Sequence, residues 1–121
     1  MSGQKLQLIP VYEDYIEYMI KLIMLLPRTE KYSIGTEYKQ SMYSTLEEIL
    51  YIPKTEEKKR LYYLNKIDSK LDVQRIMLRI MYKSRWIDSH KFEVAMDKIY
   101  EIGKILGGLI KYYVKNNQKP I

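Results

Sequence analysis

The stretch 91–115 constrains the fold more than any other part of the chain. Its apolar residues recur three and four positions apart, which predicts a long helix with one buried seam. The seam consists of Phe92, Ala95, Ile99, Ile102, Leu106, Leu109 and Tyr113. The same helix contains Gly103, Gly107 and Gly108, and a glycine in a helix interior costs about 1 kcal/mol relative to alanine. We therefore predict that these glycines let a neighbouring helix pack closely.

Three lysines of this helix lie on the face opposite its apolar seam. Steps of 100° per residue place Lys104, Lys111 and Lys115 there. No acidic residue follows Glu101. A single helix is thus predicted to offer both a packing surface and a basic surface.

Three further stretches show the same apolar spacing, and prolines separate them. Proline disfavours helical geometry in the preceding residue, so Pro27 and Pro53 are predicted to end the first and second helices. Thr55 is predicted to cap the third helix, and Asp88 or Ser89 the fourth, because short polar side chains accept hydrogen bonds from a first turn. The predicted helices are 10–26, 28–52, 55–83 and 89–115, with a frayed tail at 116–121.

Four helices joined by short connections predict one all-α domain, an up-down-up-down antiparallel four-helix bundle. Apolar residues make up 46 % of the chain and charged residues 30 %, as in folded soluble domains. The chain contains no cysteine, and it lacks both a signal-type leader and an apolar stretch near the roughly 20 residues of a membrane span. We expect a cytoplasmic protein that does not enter a membrane.

The residues show no pattern typical of catalysis or of a metal site. His90 is the one histidine, whereas di-iron, haem and zinc sites need several His, Cys or Glu ligands. Glu47 and Glu48 are neighbours in sequence and diverge on a helix, so they do not form an acid–base pair. We predict that the protein is not an enzyme, has no catalytic residues, cofactor or metal, and takes no small-molecule substrate.

Positive charge is concentrated in the second half of the chain. Residues 1–53 carry five basic and seven acidic side chains, whereas residues 54–121 carry sixteen and eight. Such asymmetry favours an anionic partner, which could be RNA, DNA or an acidic protein surface.

A linear basic ridge is predicted on the third helix. Arg75, Arg79 and Lys83 stand four residues apart on one helix face, and Arg85 follows them. The stretch 73–87 contains no acidic residue, and arginine suits phosphate and carboxylate groups. The ridge therefore either binds a polyanion or an acidic protein, or it is the solvated face of an amphipathic helix.

The chain has thirteen tyrosines and one phenylalanine. Tyr12, Tyr15, Tyr18, Tyr62 and Tyr63 cannot all fit inside one thin bundle. Some tyrosines are therefore expected at an interface or at the border of the core, with their hydroxyls in water.

Four segments together show a family resemblance. They are Leu26–Tyr32 at the first join, Val73–Ile87, Trp86 before the last helix, and Ile102–Lys111. Over roughly residues 15–115 the chain resembles the accessory variability determinant (Avd) proteins of diversity-generating retroelements.

The resemblance implies a non-enzymatic partner of a reverse transcriptase. Such proteins form homopentameric rings of four-helix bundles, bind the reverse transcriptase and nucleic acid, and support adenine-directed mutagenic copying of template RNA into cDNA. It implies binding roles for Arg75, Arg79, Lys104 and Lys111. With the charge pattern added, the candidate binding residues are Arg75, Arg79, Lys83, Arg85, Lys104, Lys111 and Lys115.

Two other interpretations stay open. One is a stand-alone RNA-binding bundle of the type encoded within intervening sequences of 23S rRNA genes, whose helix two typically contains Asn-Ile-Ala-Glu. Residues 44–51 do not contain that stretch. The other is a purely structural oligomer.

Overall fold

The computed structural model describes residues 2–117, with side chains over residues 7–117. Five α-helices follow one another: α1 (Ser2–Met24), α2 (Arg28–Lys31), α3 (Ile34–Tyr51), α4 (Arg60–Lys83) and α5 (Ser89–Asn117). Two 3₁₀ turns, Ile52–Lys54 and Glu57–Lys59, connect α3 to α4. No strand occurs in residues 2–117, and α2 is a single turn, so the predicted all-α four-helix bundle is confirmed.

The four long helices pack in the cyclic order α1, α3, α4, α5, so that α1 and α4 are diagonal. Neighbours run antiparallel. The Asp14 carboxylate of α1 pairs with Lys98 of α5, whereas Tyr18, one turn later, donates to the carbonyl of Lys91. Contacts from α3 to α1 and α4 show the same reversal.

The predicted seams form the core. On α5, every seam residue is buried except Phe92, which is only partly buried. The tyrosines divide as expected: Tyr12, Tyr15, Tyr38 and Tyr113 are fully buried, whereas others such as Tyr62 lie on the surface.

The first helix begins earlier than predicted. α1 starts at Ser2 and runs through Pro10, although proline removes one backbone hydrogen bond from a helix interior. Leu8 and Tyr12, on either side of Pro10, are both buried. Their packing offsets the lost bond, because most helix stability in proteins comes from burial of an apolar face.

The second predicted helix is interrupted. Residues 28–52 form α2 and α3, separated at Tyr32 and Ser33, where the Ser33 N–H donates to the Glu30 carbonyl at 3.2 Å. The break lies just before Gly35, a buried residue against α1. Close approach of α3 to α1 thus replaces the continuous helix that periodicity alone predicted.

The third helix starts later than predicted, at Arg60. Thr55 is not its cap but a buried residue with extended backbone at the end of the first 3₁₀ turn. The Arg60 guanidinium donates to the carbonyls of Ile52, Pro53 and Thr55. It therefore satisfies acceptors that the end of α3 leaves without helical partners.

The last helix begins as predicted. Asp88 accepts the Lys91 N–H at 2.8 Å, so it caps α5. This bond and one from the Lys91 ammonium lower the pKa of Asp88. At the other end, Asn116 and Asn117 are helical, which corrects the predicted fraying there, and 118–121 lie outside the described residues.

Candidate nucleic-acid and protein interface

The predicted ridge lies on the outer side of α4, but its first member differs from the other two. Arg79 and Lys83 are exposed. The Arg75 guanidinium pairs with Asp72 at 2.6 Å, and its side chain is 23 % exposed. Arg75 therefore has an acidic partner three residues earlier on the same face, just outside the acid-free stretch 73–87. Its role in binding stays a prediction.

The Arg75 side chain also accounts for one glycine. A Cβ at Gly103 would lie 2.9 Å from Nη2 of Arg75. The guanidinium of Arg75 on α4 therefore lies over α5 at Gly103, where α5 has no side chain. What packs against Gly103 is a charged side chain, whereas the sequence predicted a closely packed helix.

The other two glycines of the motif behave differently. Apart from Gly107 itself, its two chain neighbours and the nearby backbone of α5, no atom lies within 4 Å of the position that a Cβ at Gly107 would take. Within one chain, the predicted close approach of a helix is therefore wrong for Gly107. Gly108 is partly buried on α5, and its packing role stays a prediction.

The glycine at a close helix contact is one that sequence reasoning missed. Gly35 is buried, and a Cβ there would lie 2.8 Å from Cγ2 of Ile23 on α1. Its only sequence signal is its place a few residues after the Leu26-Pro27 join, where two helices must turn back on each other.

Alanine substitutions at the two glycines are expected to have opposite effects. Gly107→Ala should raise the free energy of unfolding by about 1 kcal/mol, because alanine favours the helix and meets open space. Gly35→Ala should lower it by about 1–3 kcal/mol, since Ile23 must shift to make room. Urea denaturation of both variants at one protein concentration tests this contrast. A destabilised Gly107→Ala variant would mean that another chain packs against α5 at this position.

The α5 lysines extend the ridge along the bundle. Arg75 lies over Gly103, so Lys104, the next residue of α5, is close to the ridge. Lys111 and Lys115 lie further along α5, toward the end of the bundle opposite Lys83. With a rise of 1.5 Å per residue, these side chains span about 30 Å. We call the whole set the basic edge: Arg75, Arg79, Lys83, Arg85, Lys104, Lys111 and Lys115.

Most of the basic edge is unpaired. Lys104 lies 3.8 Å from Glu101, and both are well exposed, so this pair contributes little to stability. Within residues 7–117, no carboxylate lies within 4.0 Å of Arg79, Lys83, Arg85, Lys111 or Lys115. These five cations are available to an external anion.

A second apolar seam runs along the outside of α4. Val73, Ile76 and Ile80 are 53 %, 49 % and 45 % exposed. They are spaced three and four apart, so they share one helix face, and we call them the outer stripe. The sequence reasoning missed it, although its spacing is the same as that of the core seams. A large exposed apolar patch on a soluble protein marks an interaction surface.

A polar layer crosses the core beneath the ridge, centred on Gln74. The Tyr15 hydroxyl donates to its Oε1 at 2.6 Å, and its amide nitrogen donates to the hydroxyls of Ser41 and Thr45. Because the Tyr15 proton points to Gln74, the adjacent Tyr38 hydroxyl donates to the Tyr15 oxygen. One amide on α4 thus organises the hydroxyls of four residues from α1 and α3.

Burial changes the acidity of these phenols. It raises the pKa of Tyr12, whose hydroxyl donates to the Met42 carbonyl, to about 12. It raises the pKa of Tyr15 and of Tyr38 well above the ordinary value of 10.0. All three phenols therefore stay neutral at physiological pH.

In the part of the chain that the structure describes, no three His, Cys, Asp or Glu side chains are placed to hold a metal ion. None of its helices has the length and hydropathy needed to cross a membrane.

The protein is a small helical bundle with two surfaces suited to binding macromolecules, the basic edge and the outer stripe. A comparison with protein families identifies this class of bundle more specifically. The chain belongs to the bAvd-like family, whose model matches residues 1–113. This result confirms the resemblance to Avd proteins, which are of an accessory, non-catalytic kind. A comparison with curated proteins finds no match.

Proposed function

We propose that this protein is a non-catalytic accessory subunit of a diversity-generating retroelement. It binds the reverse transcriptase and nucleic acid, template RNA and cDNA, and supports mutagenic reverse transcription in the cytoplasm. The observation that carries the proposal is the basic edge of a bAvd-like chain, with five cations free of carboxylate partners in residues 7–117.

The length and charge of the basic edge support a nucleic-acid contact. A span of about 30 Å covers several phosphates, which follow one another every 3.4 Å along a strand of duplex. Arg79, Lys83 and Arg85 can each donate to phosphate without breaking an internal ion pair.

The outer stripe supports contacts with protein. α4 carries the core seam on one face and the outer stripe on another, so the helix has apolar surface left to bury after the bundle has folded. Oligomerisation or polymerase binding would remove that surface from water.

The placement of charges supports head-to-tail contact between copies, the kind of contact that the proposed homopentameric ring requires. The helix diagonal to α4 exposes Glu13 and Glu17 beside Met24, which is 61 % exposed. An acidic and apolar face on α1 complements the basic and apolar face on α4. Because the two faces lie on opposite sides of one bundle, contact between copies is head-to-tail, which can close into a ring.

Removing two free cations should weaken binding without affecting the fold. The variant Arg79→Ala plus Lys83→Ala is expected to flatten the log–log salt dependence of RNA binding by about two units, one per lost phosphate contact. Exposed cations contribute little to stability, so helicity should be unchanged. The measurements are RNA anisotropy over a salt series, pull-down of a reverse transcriptase from a diversity-generating retroelement, and light scattering. The wild type is expected as five chains rather than a 14.6 kDa monomer.

A matched control removes two cations that lie off the basic edge. Lys21 is exposed on α1 and Lys39 is partly buried on α3, and Lys21→Ala plus Lys39→Ala should leave both activities intact. If the ridge variant loses binding to both RNA and the reverse transcriptase, the ridge is a shared docking surface. If it loses only reverse-transcriptase binding, the ridge contacts protein. If the ridge variant keeps wild-type affinity for both partners, the ridge is only the solvated face of an amphipathic helix.

The same measurements separate the two other interpretations. RNA binding without any polymerase partner would indicate a stand-alone RNA-binding bundle. An intact ring that binds neither partner would indicate a structural oligomer.

A further inference from the structure

A cavity lies where α4 connects to α5, at the end of the basic edge. Its volume is about 650 Å³, within the range of small-ligand sites. Its lining residues include Leu25, Tyr82, Lys83, Arg85, Trp86 and Lys91. Aromatic rings and cations therefore meet in one concave place.

The aromatic wall is supported from behind. The Tyr82 ring stacks on Phe92, with centroids 4.5 Å apart and planes 12° from parallel, yet Tyr82 is 40 % exposed. Trp86 is partly buried and packs against the core. Rings held in this way lose little freedom on binding and suit the flat face of a nucleobase.

The cations of the cavity are only partly neutralised. Asp88 pairs with Lys91 at 2.8 Å and is also occupied as the cap of α5. Lys83 and Arg85 have no carboxylate within 4.0 Å among residues 7–117. The cavity therefore carries surplus positive charge, which favours an anionic ligand.

Arg85 is an unusual residue for its backbone conformation. Its φ is +63°, and it is the one non-glycine residue with positive φ in the described part of the chain. Glycine adopts this conformation without the steric cost that an L side chain meets. The turn itself is held by the Trp86 N–H, which donates to the Met81 carbonyl at 2.9 Å. Glycine at position 85 would stabilise the fold more than arginine does, so a role in binding is the better explanation for the Arg85 guanidinium.

We propose that this cavity binds one unpaired nucleotide of single-stranded RNA. The base stacks on the wall formed by Tyr82 and Trp86, and the phosphate contacts Lys83 and Arg85. An acidic peptide would use the cations but leave the aromatic wall unused. The inference rests on the proposed nucleic-acid binding and deepens it, because it names the preferred ligand as an unpaired strand.

The only tryptophan of the chain lies in this cavity, so its fluorescence reports occupancy directly. Three probes are titrated into the full-length protein: a short unstructured oligoribonucleotide, an RNA duplex of the same length, and inorganic polyphosphate. The single strand should quench Trp86 emission over the concentration range in which anisotropy reports binding. The duplex and polyphosphate should bind at low salt and leave the emission unchanged.

Two variants and one control refine the test. Arg85→Gly suits the positive φ and removes the whole side chain with its guanidinium, and it should weaken single-strand binding about tenfold. Trp86→Leu should weaken single-strand binding by about tenfold, since one stacked base is lost, and should leave polyphosphate binding unchanged. Lys54→Ala, at the opposite end of the bundle, should behave as the wild type.

The outcomes distinguish this inference from the proposed function. If RNA binds but Trp86 emission stays constant and Arg85→Gly has wild-type affinity, the cavity is not the site and the proposed function still stands. If Arg85→Gly lost equal affinity for single-stranded RNA and for polyphosphate, and neither probe quenched Trp86, the cavity would be a non-specific charge contact. That result would overturn the inference. Quenching by an acidic peptide but not by RNA would also overturn it. Absence of binding to any nucleic acid would contradict both proposals.

Discussion

Replacing Gln74 with leucine is expected to lower the free energy of unfolding by about 3 kcal/mol. Leucine has a similar volume, but it leaves the hydroxyls of Tyr15, Ser41 and Thr45 without their buried partner. A buried polar group left without a hydrogen bond costs about 1–3 kcal/mol. Thermal unfolding at fixed protein concentration should show a midpoint about 10 °C lower.

A matched control and a double variant separate the hydrogen bonds from the change in shape. Gln40 is exposed on α3, so Gln40→Leu should change stability by less than about 0.5 kcal/mol. Adding Tyr15→Phe to Gln74→Leu should cost less than the two single changes together, because both partners of one bond are then absent. Strict additivity would show that the two side chains are not coupled.

Stability is expected to fall steeply above pH 10. The phenols of Tyr12, Tyr15 and Tyr38 titrate near 10.0 when unfolded, whereas burial raises their pKa values in the folded bundle, that of Tyr12 to about 12. Above pH 10 the unfolded state therefore releases protons that the folded state retains, and this favours unfolding. Their contribution is fully present below pH 10 and is lost as pH rises toward 12. Three such groups should cost about 3 kcal/mol between pH 10 and 11.

Phenylalanine substitutions identify which tyrosines cause the alkaline effect. Tyr38→Phe removes one buried phenol, so stability should fall about one third less steeply with pH. Tyr62 is 63 % exposed, and Tyr62→Phe should leave the slope as it is in the wild type. Urea midpoints at several alkaline pH values give both slopes. Identical slopes for Tyr38→Phe and the wild type would contradict the assignment.

Only part of the surface of α4 could be predicted from the sequence. The four-residue spacing of Arg75, Arg79 and Lys83 correctly placed them on one face of α4. Asp72 stands immediately before the acid-free stretch 73–87, and it neutralises Arg75. The outer stripe repeats the core spacing, but a pattern of apolar residues does not by itself show which of two seams faces inward.

The sequence by itself determined the number of long helices, their buried faces and the start of α5, because periodic apolar residues, prolines and an acidic cap act over a few residues. Tertiary structure alone decided which glycine permits a close contact, since Gly35 meets Ile23 while Gly107 meets open space. It also decided that Gln74 joins hydroxyls from other helices. These outcomes depend on how helices distant in sequence pair and on their register, which local periodicity does not encode.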